Sequence, residues 1–534
     1  MHSKLIKYYH TLKYLKPIQW RYRLYYTFRN KLFGYTKLKI SKTKFQTQNL
    51  TLNTTNLTLQ TPNYELKTQH SALSTKHFIF LNKEKQFKNK IDWDFADYGK
   101  LWTYNLNYFD FLQQENISKE QGLAIIDDFI SQQHQIKTAF EPYPISLRGI
   151  NWIKFFIKEN IENNEYKDSL YAQYQVLLKN LEYQHLANHL IENGFSLLFG
   201  AYYFNDSKLY KAAKQILQKE LNEQILNDGA HFELSPMYHQ IILSRVLDSY
   251  NLVKSNKLFN NELENLLKDK AEQMLGFLQN ITFKNGEIPY FNDTVNGIAP
   301  TTKQLLDYAT FLNSKFRIQN SEFKNSGYRK YSKNNYEIII DAGNLGGVDY
   351  NLAHSHNDML SFELYINDKP FIVNTGISTY EKNARRLEER QTAAHNTVIV
   401  DDKEQSQVWS GHRVAKRGKC IITTDAKDKL IAYHTGYKPT IHQREFDLSN
   451  NKIIITDTIK GKHKIAKAYF HFHPDIEPQI EVNKLIVGDI NINFENLVSL
   501  ELKDYFYAKG FNNLVPAKML EVKFTDKLRL VFNI

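Results

Sequence analysis

The chain has 534 residues, too many for a single hydrophobic core, so two or three domains are expected. Apolar residues make up 42% of it, with no run long enough to span a bilayer, and its one cysteine, Cys420, excludes intrachain disulfides and cysteine-based zinc sites. The net charge of +12 is concentrated at the start: residues 1–64 hold twelve Lys and Arg and no acid, whereas the rest carries 57 of each sign and is neutral.

Residues 1–34 read as a basic amphipathic helical arm broken near Pro17. Such an arm suits a polyanion, an acidic membrane surface or nucleic acid, or else a helix that packs its Leu and Tyr residues on the body. Its basic residues are spread evenly, with no apolar core and no small-residue cleavage site, so no signal peptide is visible. As written, a cytoplasmic protein is expected. Residues 46–63, rich in Thr, Asn and Gln with Leu50, Leu52, Leu57 and Leu59, read as short strands or an irregular linker. His77 to Leu81 reads as a strand. Residues 92–112 are dense in aromatics, a pattern of core or of a sugar-stacking groove edge.

From about 120 to 315 the apolar period is helical, with candidates at 121–133, 147–160, 168–182, 186–201, 206–226, 234–254, 257–280 and 301–314. Consecutive helices with short connections predict a helical toroid or solenoid. After about 330 the pattern changes to strands, among them 336–340, 371–373, 397–400, 453–455 and 466–473. These predict an antiparallel sandwich or stacked sheets. The expected division is an arm and linking segment at 1–95, a helical domain at 96–325 and a β domain at 330–534.

The segment Asn351 to Asp358 carries His354, His356 and Asp358 at every second position. If extended, it points all three to one face, where they could bind a metal or move protons. His395, in Ala393-Ala394-His395-Asn396-Thr397, could complete a metal site with His356. Arg148, after Pro142-Tyr143-Pro144-Ile145-Ser146-Leu147, is expected in the first turn of a helix and suits a carboxylate ligand, or a structural pair with Glu141 or a nearby acid. Asn188 and His189 are adjacent polar residues in an apolar helix, and they point about 100° apart. In Glu233-Leu234-Ser235-Pro236-Met237-Tyr238, Ser235 and Pro236 start a helix and place Tyr238 in its first turn. A tyrosine there exchanges protons if positive charge lowers its pKa, and otherwise is a structural hydrogen-bonding group.

Taken together and in order, these fragments resemble the heparinase II/III family of polysaccharide lyases. The Leu360-Ser361-Phe362-Glu363 and Thr375-Gly376-Ile377-Ser378-Thr379-Tyr380 stretches and the Leu15-Lys16-Pro17 segment share in the resemblance. It implies an N-terminal (α/α) toroid, a C-terminal antiparallel β domain and an active site in the groove between them. It also implies β-elimination on a uronic-acid-containing acidic polysaccharide, which leaves a 4,5-unsaturated uronate. By the same resemblance Asn188 neutralises the uronate carboxylate, with Arg148, His189 and Glu233 as further substrate-binding residues. Tyr238 acts as base, acid or both, and His354 is the second proton-transfer residue. A structural zinc is implied on His356, Asn374 and His395. Asn374 stands where the family has Asp, and is a neutral, weaker ligand. The family also makes a periplasmic or envelope location an alternative. One competing reading is a metal-dependent hydrolase on His354, His356, Asp358 and His395, which leaves Asn188 and Tyr238 unexplained. Another is a glycan-binding or biosynthesis-associated protein of the same fold without turnover. No nucleic-acid partner is expected, because the arm follows the family pattern, and nothing in the sequence specifies an oligomeric state.

Overall fold

The computed structural model describes residues 2–33, 54–59, 70–312, 315–318, 322–346, 352–449 and 451–534. Asn351, the basic residues Lys37, Lys39, Lys42 and Lys44, and Leu50 and Leu52 of the linker lie outside the described residues.

The arm is two helices, α1 (His2–Leu12) and α2 (Pro17–Phe33), with Pro17 opening the second. A three-stranded antiparallel sheet over residues 70–86 follows. The helical half then runs through α3 (Lys100–Tyr108), α4 (Lys119–Gln132), α5 (Pro142–Lys158), α6 (Asn164–Leu178), α7 (Ala187–Phe204), α8 (Ser207–Gln224), α9 (Pro236–Ser255), α10 (Glu264–Ile281) and α11 (Thr302–Phe311). α3 packs on α5, α5 on α7, α7 on α9 and α9 on α11, while α6, α8 and α10 pack against this inner row from outside. That alternation of inner and outer helices is the toroid expected from the helical periodicity. Its starts are locally encoded: Asp206 accepts from the Lys208 and Leu209 amides at the head of α8, and Ser235 accepts from the Tyr238 amide at the head of α9.

The aromatic stretch at 92–112 divides between its two expected uses. Trp93, Trp102 and Phe109 are buried in the core, whereas Tyr104 and Tyr108 reach the large cavity described below.

The β half stacks two antiparallel sheets. A four-stranded sheet has the order 328–332, 336–341, 362–366, 369–372. A ten-stranded sheet includes the long pair 490–510 and 513–533, with 466–471 bridging to 398–400. Their facing sides share one core, in which the Phe362 and Phe446 rings meet edge-on at 5.7 Å. A short helix, α12 (Ala384–Glu388), leaves this half and lies against the helical one. The loop between α10 and α11 joins the halves from the other side: the Tyr290 amide donates to buried Glu363, and Phe283 stacks on Tyr365 at 3.7 Å.

Candidate functional site

The inner helices α3, α5, α7 and α9, together with the loop at 352–361 and α12's approach, border a cavity of about 760 Å³. Asn188, His189, Tyr238, His354 and Tyr380 line it, so the structure gathers residues separated by almost 200 positions. The loop carrying the two histidines is not a strand; it bends through 352–361 and turns at Leu360, whose φ is +62°. The alternation expected for an extended segment therefore fails at its third member. Asp358 turns away and accepts from the Asn292 amide at 2.9 Å, and burial raises its carboxyl to about 6.

His354 and His356 converge instead on a carboxylate from the helical half. Asp293, wholly buried on the α10–α11 loop, accepts from His354 Nδ1 at 2.8 Å and His356 Nε2 at 2.7 Å. Arg386 of α12 grips the same carboxylate with both terminal nitrogens, at 2.6 and 2.7 Å. Burial alone would raise the Asp293 carboxyl, but Arg386 and the two imidazole donors hold it well below the usual carboxylate range. With Nδ1–H committed to Asp293, the His354 Nε2 lone pair faces the cavity, 3.5 Å from the Asn188 side-chain nitrogen.

Tyr238 completes the group. Its ring lies 4.1 Å from that of His354, and its hydroxyl is 3.2 Å from the Tyr380 hydroxyl. Burial, reinforced by the Asp293 and Glu233 charges, raises its pKa far above the ordinary tyrosine value. The lowered pKa that a base would need is therefore not found, and Tyr238 keeps its proton. Ser235 ties the tyrosine's backbone to that of Asp293, accepting from the Tyr238 amide and donating to the Asp293 carbonyl at 2.6 Å.

The head of α7 is under strain. Leu186 and Ala187 both have left-handed φ, +58° and +52°, immediately before Asn188. Gln224 donates to the Ala187 carbonyl at 3.1 Å, and the Glu233 carboxylate accepts from the Asn188 amide. Glu233 thus sits behind Asn188 rather than in the cavity, and its burial raises its pKa despite the bond from the Asn188 amide. Arg148 also fails to reach the cavity. It is wholly buried, donating to Gln173 at 2.7 Å and to the Asn107 and Ala139 carbonyls at 3.1 and 2.8 Å. Its donors are spent inside the helical core, so direct substrate contact is excluded in this arrangement. His189 does line the cavity, with Nδ1 2.9 Å from Glu182; burial opposes its charge, but Glu182 outweighs burial and raises its pKa.

The residues expected to hold zinc form a separate, buried cluster. His356 and His395 lie with ring centres 5.2 Å apart, and His356 Nδ1 and His395 Nε2 have no partner. Asn374 Oδ1 already accepts from Ser361 at 3.1 Å and lies 3.2 Å from His395 Nδ1. Burial pushes His356 down to about 4 and His395 well below its usual value, so both rings are neutral. Among the described residues no three His, Cys, Asp or Glu side chains are gathered in a metal-holding arrangement. Two neutral imidazoles and an amide oxygen already in use offer no negative charge to offset a buried divalent ion. This donor set does not fit the zinc that the resemblance implies.

Asp293, Arg386 and Tyr380 are the members of the site that the sequence reading missed as functional. Tyr380 lay inside a recognised stretch, but Asp293 and Arg386 sit in strings with no spacing signal.

Comparison with known proteins agrees with the fold. Residues 154–319 match the Heparinase II/III N-terminus model, and residues 318–520 match the Heparinase II/III-like C-terminal model. A heparin-sulfate lyase of Bacteroides stercoris is 24% identical over 316 residues, covering 53% of this chain and 45% of that protein. One from Pedobacter heparinus is 24% identical over 308 residues, covering 51% and 45%. The matches span less than half the length of these curated relatives. Among solved structures, a heparinase III superposes with a TM-score of 0.64 at 16% identity, over 90% of this chain and 87% of that one. The heparan sulfate lyase HepC from Pedobacter heparinus gives 0.56 at 16% identity, over 89% and 83%. With both family models matching across the helical and β halves, the chain belongs to the heparinase II/III family.

Proposed function

We propose that the protein is a polysaccharide lyase that cleaves a uronic-acid-containing chain by β-elimination. The observation that carries this reading is the His354 ring, with one nitrogen tied to Asp293 and the other directed at the cavity between Asn188 and Tyr238. The C5 proton of a uronate is hard to remove because its carboxylate is already anionic. The Asn188 amide, donating to that carboxylate, makes the added charge tolerable. His354 Nε2 takes the C5 proton, and the electron pair moves to form the C4–C5 double bond. The C4–O4 bond breaks, and Tyr238 gives its proton to the departing O4. Tyr380 donates to the phenolate left behind, and the imidazolium returns a proton to it. No water enters the bond cleavage, and no metal takes part in any of these steps.

The cavity also supports a substrate class. Lys154 is paired with Asp248, Arg245 with Glu192 and Lys100 with Glu141. Three of the four Lys and Arg side chains lining the cavity are thus committed to carboxylates, with exposed Lys382 the fourth, so the reading is a uronate polymer of low rather than high sulfate content. The test is incubation with uronate polysaccharides of graded sulfate content, followed by ultraviolet absorbance of the unsaturated product. Absorbance should appear with poorly sulfated chains and fall about 10²–10⁴-fold in Tyr238→Phe, without loss of thermal stability. New reducing ends without that absorbance would show hydrolysis and end the proposal. Binding without any product would instead leave a glycan-binding protein.

A further inference from the structure

The basic arm is fastened to the body by one face only. Trp409 Nε1 donates to Thr11 at 3.1 Å, and the Tyr8 ring meets Trp409 edge-on at 4.9 Å. Along α2, Gln19 donates to the His185 carbonyl at 3.1 Å, Tyr26 donates to the Leu181 carbonyl at 2.7 Å, and Tyr22 stacks on Tyr183 at 4.6 Å. These contacts hold the arm against both halves of the molecule, as the packed-arm reading expected.

The opposite face contradicts that reading. Trp20, Leu24, Phe28 and Leu32 are 40%, 55%, 61% and 73% exposed, and Leu5 and Tyr9 of α1 are 61% and 66% exposed. A spacing of four residues drifts about 40° per step, so the four α2 residues form one stripe along the helix. Exposed Arg21 and Lys31 lie along the same face, near its two ends. A helix already docked through its inner face has no folding reason to keep large apolar groups outside, because that surface remains in contact with water.

We propose that this outer face is a binding site for an anionic lipid surface. Three observations favour lipid over a soluble protein partner. Residues 1–33 supply eight Lys and Arg and no acid, so the arm's charge complements an acidic headgroup layer and no acid on the arm repels one. The exposed groups are Leu, Phe, Trp and Tyr, the set that inserts to the depth of the headgroup–acyl boundary. No helix among the described residues is long and apolar enough to cross a membrane, so the contact is one of lying on the surface. The inference stands apart from the proposed lyase activity and uses none of its residues.

The experiment is flotation of the full chain with vesicles of phosphatidylglycerol and phosphatidylcholine, against phosphatidylcholine alone. Trp20 is an internal reporter, since the other four tryptophans are buried. Binding should require the anionic lipid, weaken with salt and shift the tryptophan emission to shorter wavelength. The double variant Leu24→Glu/Phe28→Glu should bind at least about tenfold more weakly, and Arg21→Glu/Lys31→Glu about tenfold more weakly. Melting temperature and circular dichroism equal to the unmodified chain establish that these variants are folded. Absence of binding to anionic vesicles by the folded protein would overturn the proposal. So would binding that survives both double variants, which places it elsewhere. A concentration-dependent dimer dissolved by Leu24→Glu/Phe28→Glu, with no vesicle binding, would overturn it in favour of a second copy of the chain.

Discussion

His354 and His356 are two residues apart and share one carboxylate, yet they occupy opposite environments. His354 gives Asp293 its Nδ1–H and turns Nε2 to the cavity beside Asn188 and Tyr238. His356 gives Asp293 its Nε2–H and turns Nδ1 into a buried cluster with His395 and Asn374. The same residue type, held by the same anion, is thus the proposed reagent on one side and a buried joint on the other. The difference lies in which nitrogen the carboxylate takes, and that is set by the bend of the loop rather than by residue identity.

Removing the shared carboxylate should produce the largest effect, because it breaks both sides together. Asp293→Asn leaves the Arg386 guanidinium buried without its counter-ion, a loss of about 3–5 kcal/mol in a denaturant titration. It should also lower the turnover of any substrate found, since the His354 tautomer is no longer imposed. Normal turnover in a folded Asp293→Asn protein would show that the shared anion does not set the base.

Next in size is a contrast between the two histidines. His354→Ala should reduce turnover about 10²–10⁴-fold and leave the melting temperature almost unchanged. His356→Ala should do the reverse, costing about 1–3 kcal/mol of stability with turnover reduced less than about tenfold. Equal kinetic losses would erase the distinction drawn here. A full equivalent of zinc retained by the unmodified protein and lost in His356→Ala would replace the neutral joint with a metal site.

Per pH unit, the smallest effect is in the pH dependence of stability. His356 and His239 are buried and titrate at about 4 when folded, against 6.5 for an ordinary histidine. Below 6.5 the unfolded chain therefore takes up protons that the folded one refuses. The contribution of these two histidines should be flat above that pH and decline as pH falls from about 6.5 to about 4, by up to about 1.4 kcal/mol per unit for each group. Replacing His356 should make the slope shallower; an unchanged slope would remove His356 from the set of buried neutral bases.

The helices, the switch to strands and the trio Asn188, Tyr238 and His354 were legible because each rests on local pattern or on an ordered set of fragments. α7, α8 and α9 follow their apolar periods, and Ser235 and Asp206 cap where their types suggest. What escaped depends on long-range packing. Asp293 and Arg386 are 93 positions apart and acquire meaning only through each other. Arg148 was read as a ligand because its helix position allows it; the core, not the cavity, took up its donors. Asp358 was misplaced by assuming an extended segment, where the turn at Leu360 sends its carboxylate to Asn292. On one of its two readings the arm was expected to pack its Leu and Tyr residues on the body, yet Leu24, Leu32 and Tyr9 are exposed; amphipathicity reports that a helix has an apolar face but not what covers it.

One consequence of the Asp293 contacts concerns when the chain becomes competent at all. The helical half brings the acid and the orienting anion; the β half brings the imidazole and the guanidinium. Neither half contains the whole proposed set, which assembles only on docking, through four hydrogen bonds to one residue at the seam. On the proposed mechanism, a molecule whose halves are undocked should be inactive, and recovery of activity on mixing separated halves would register their reunion directly.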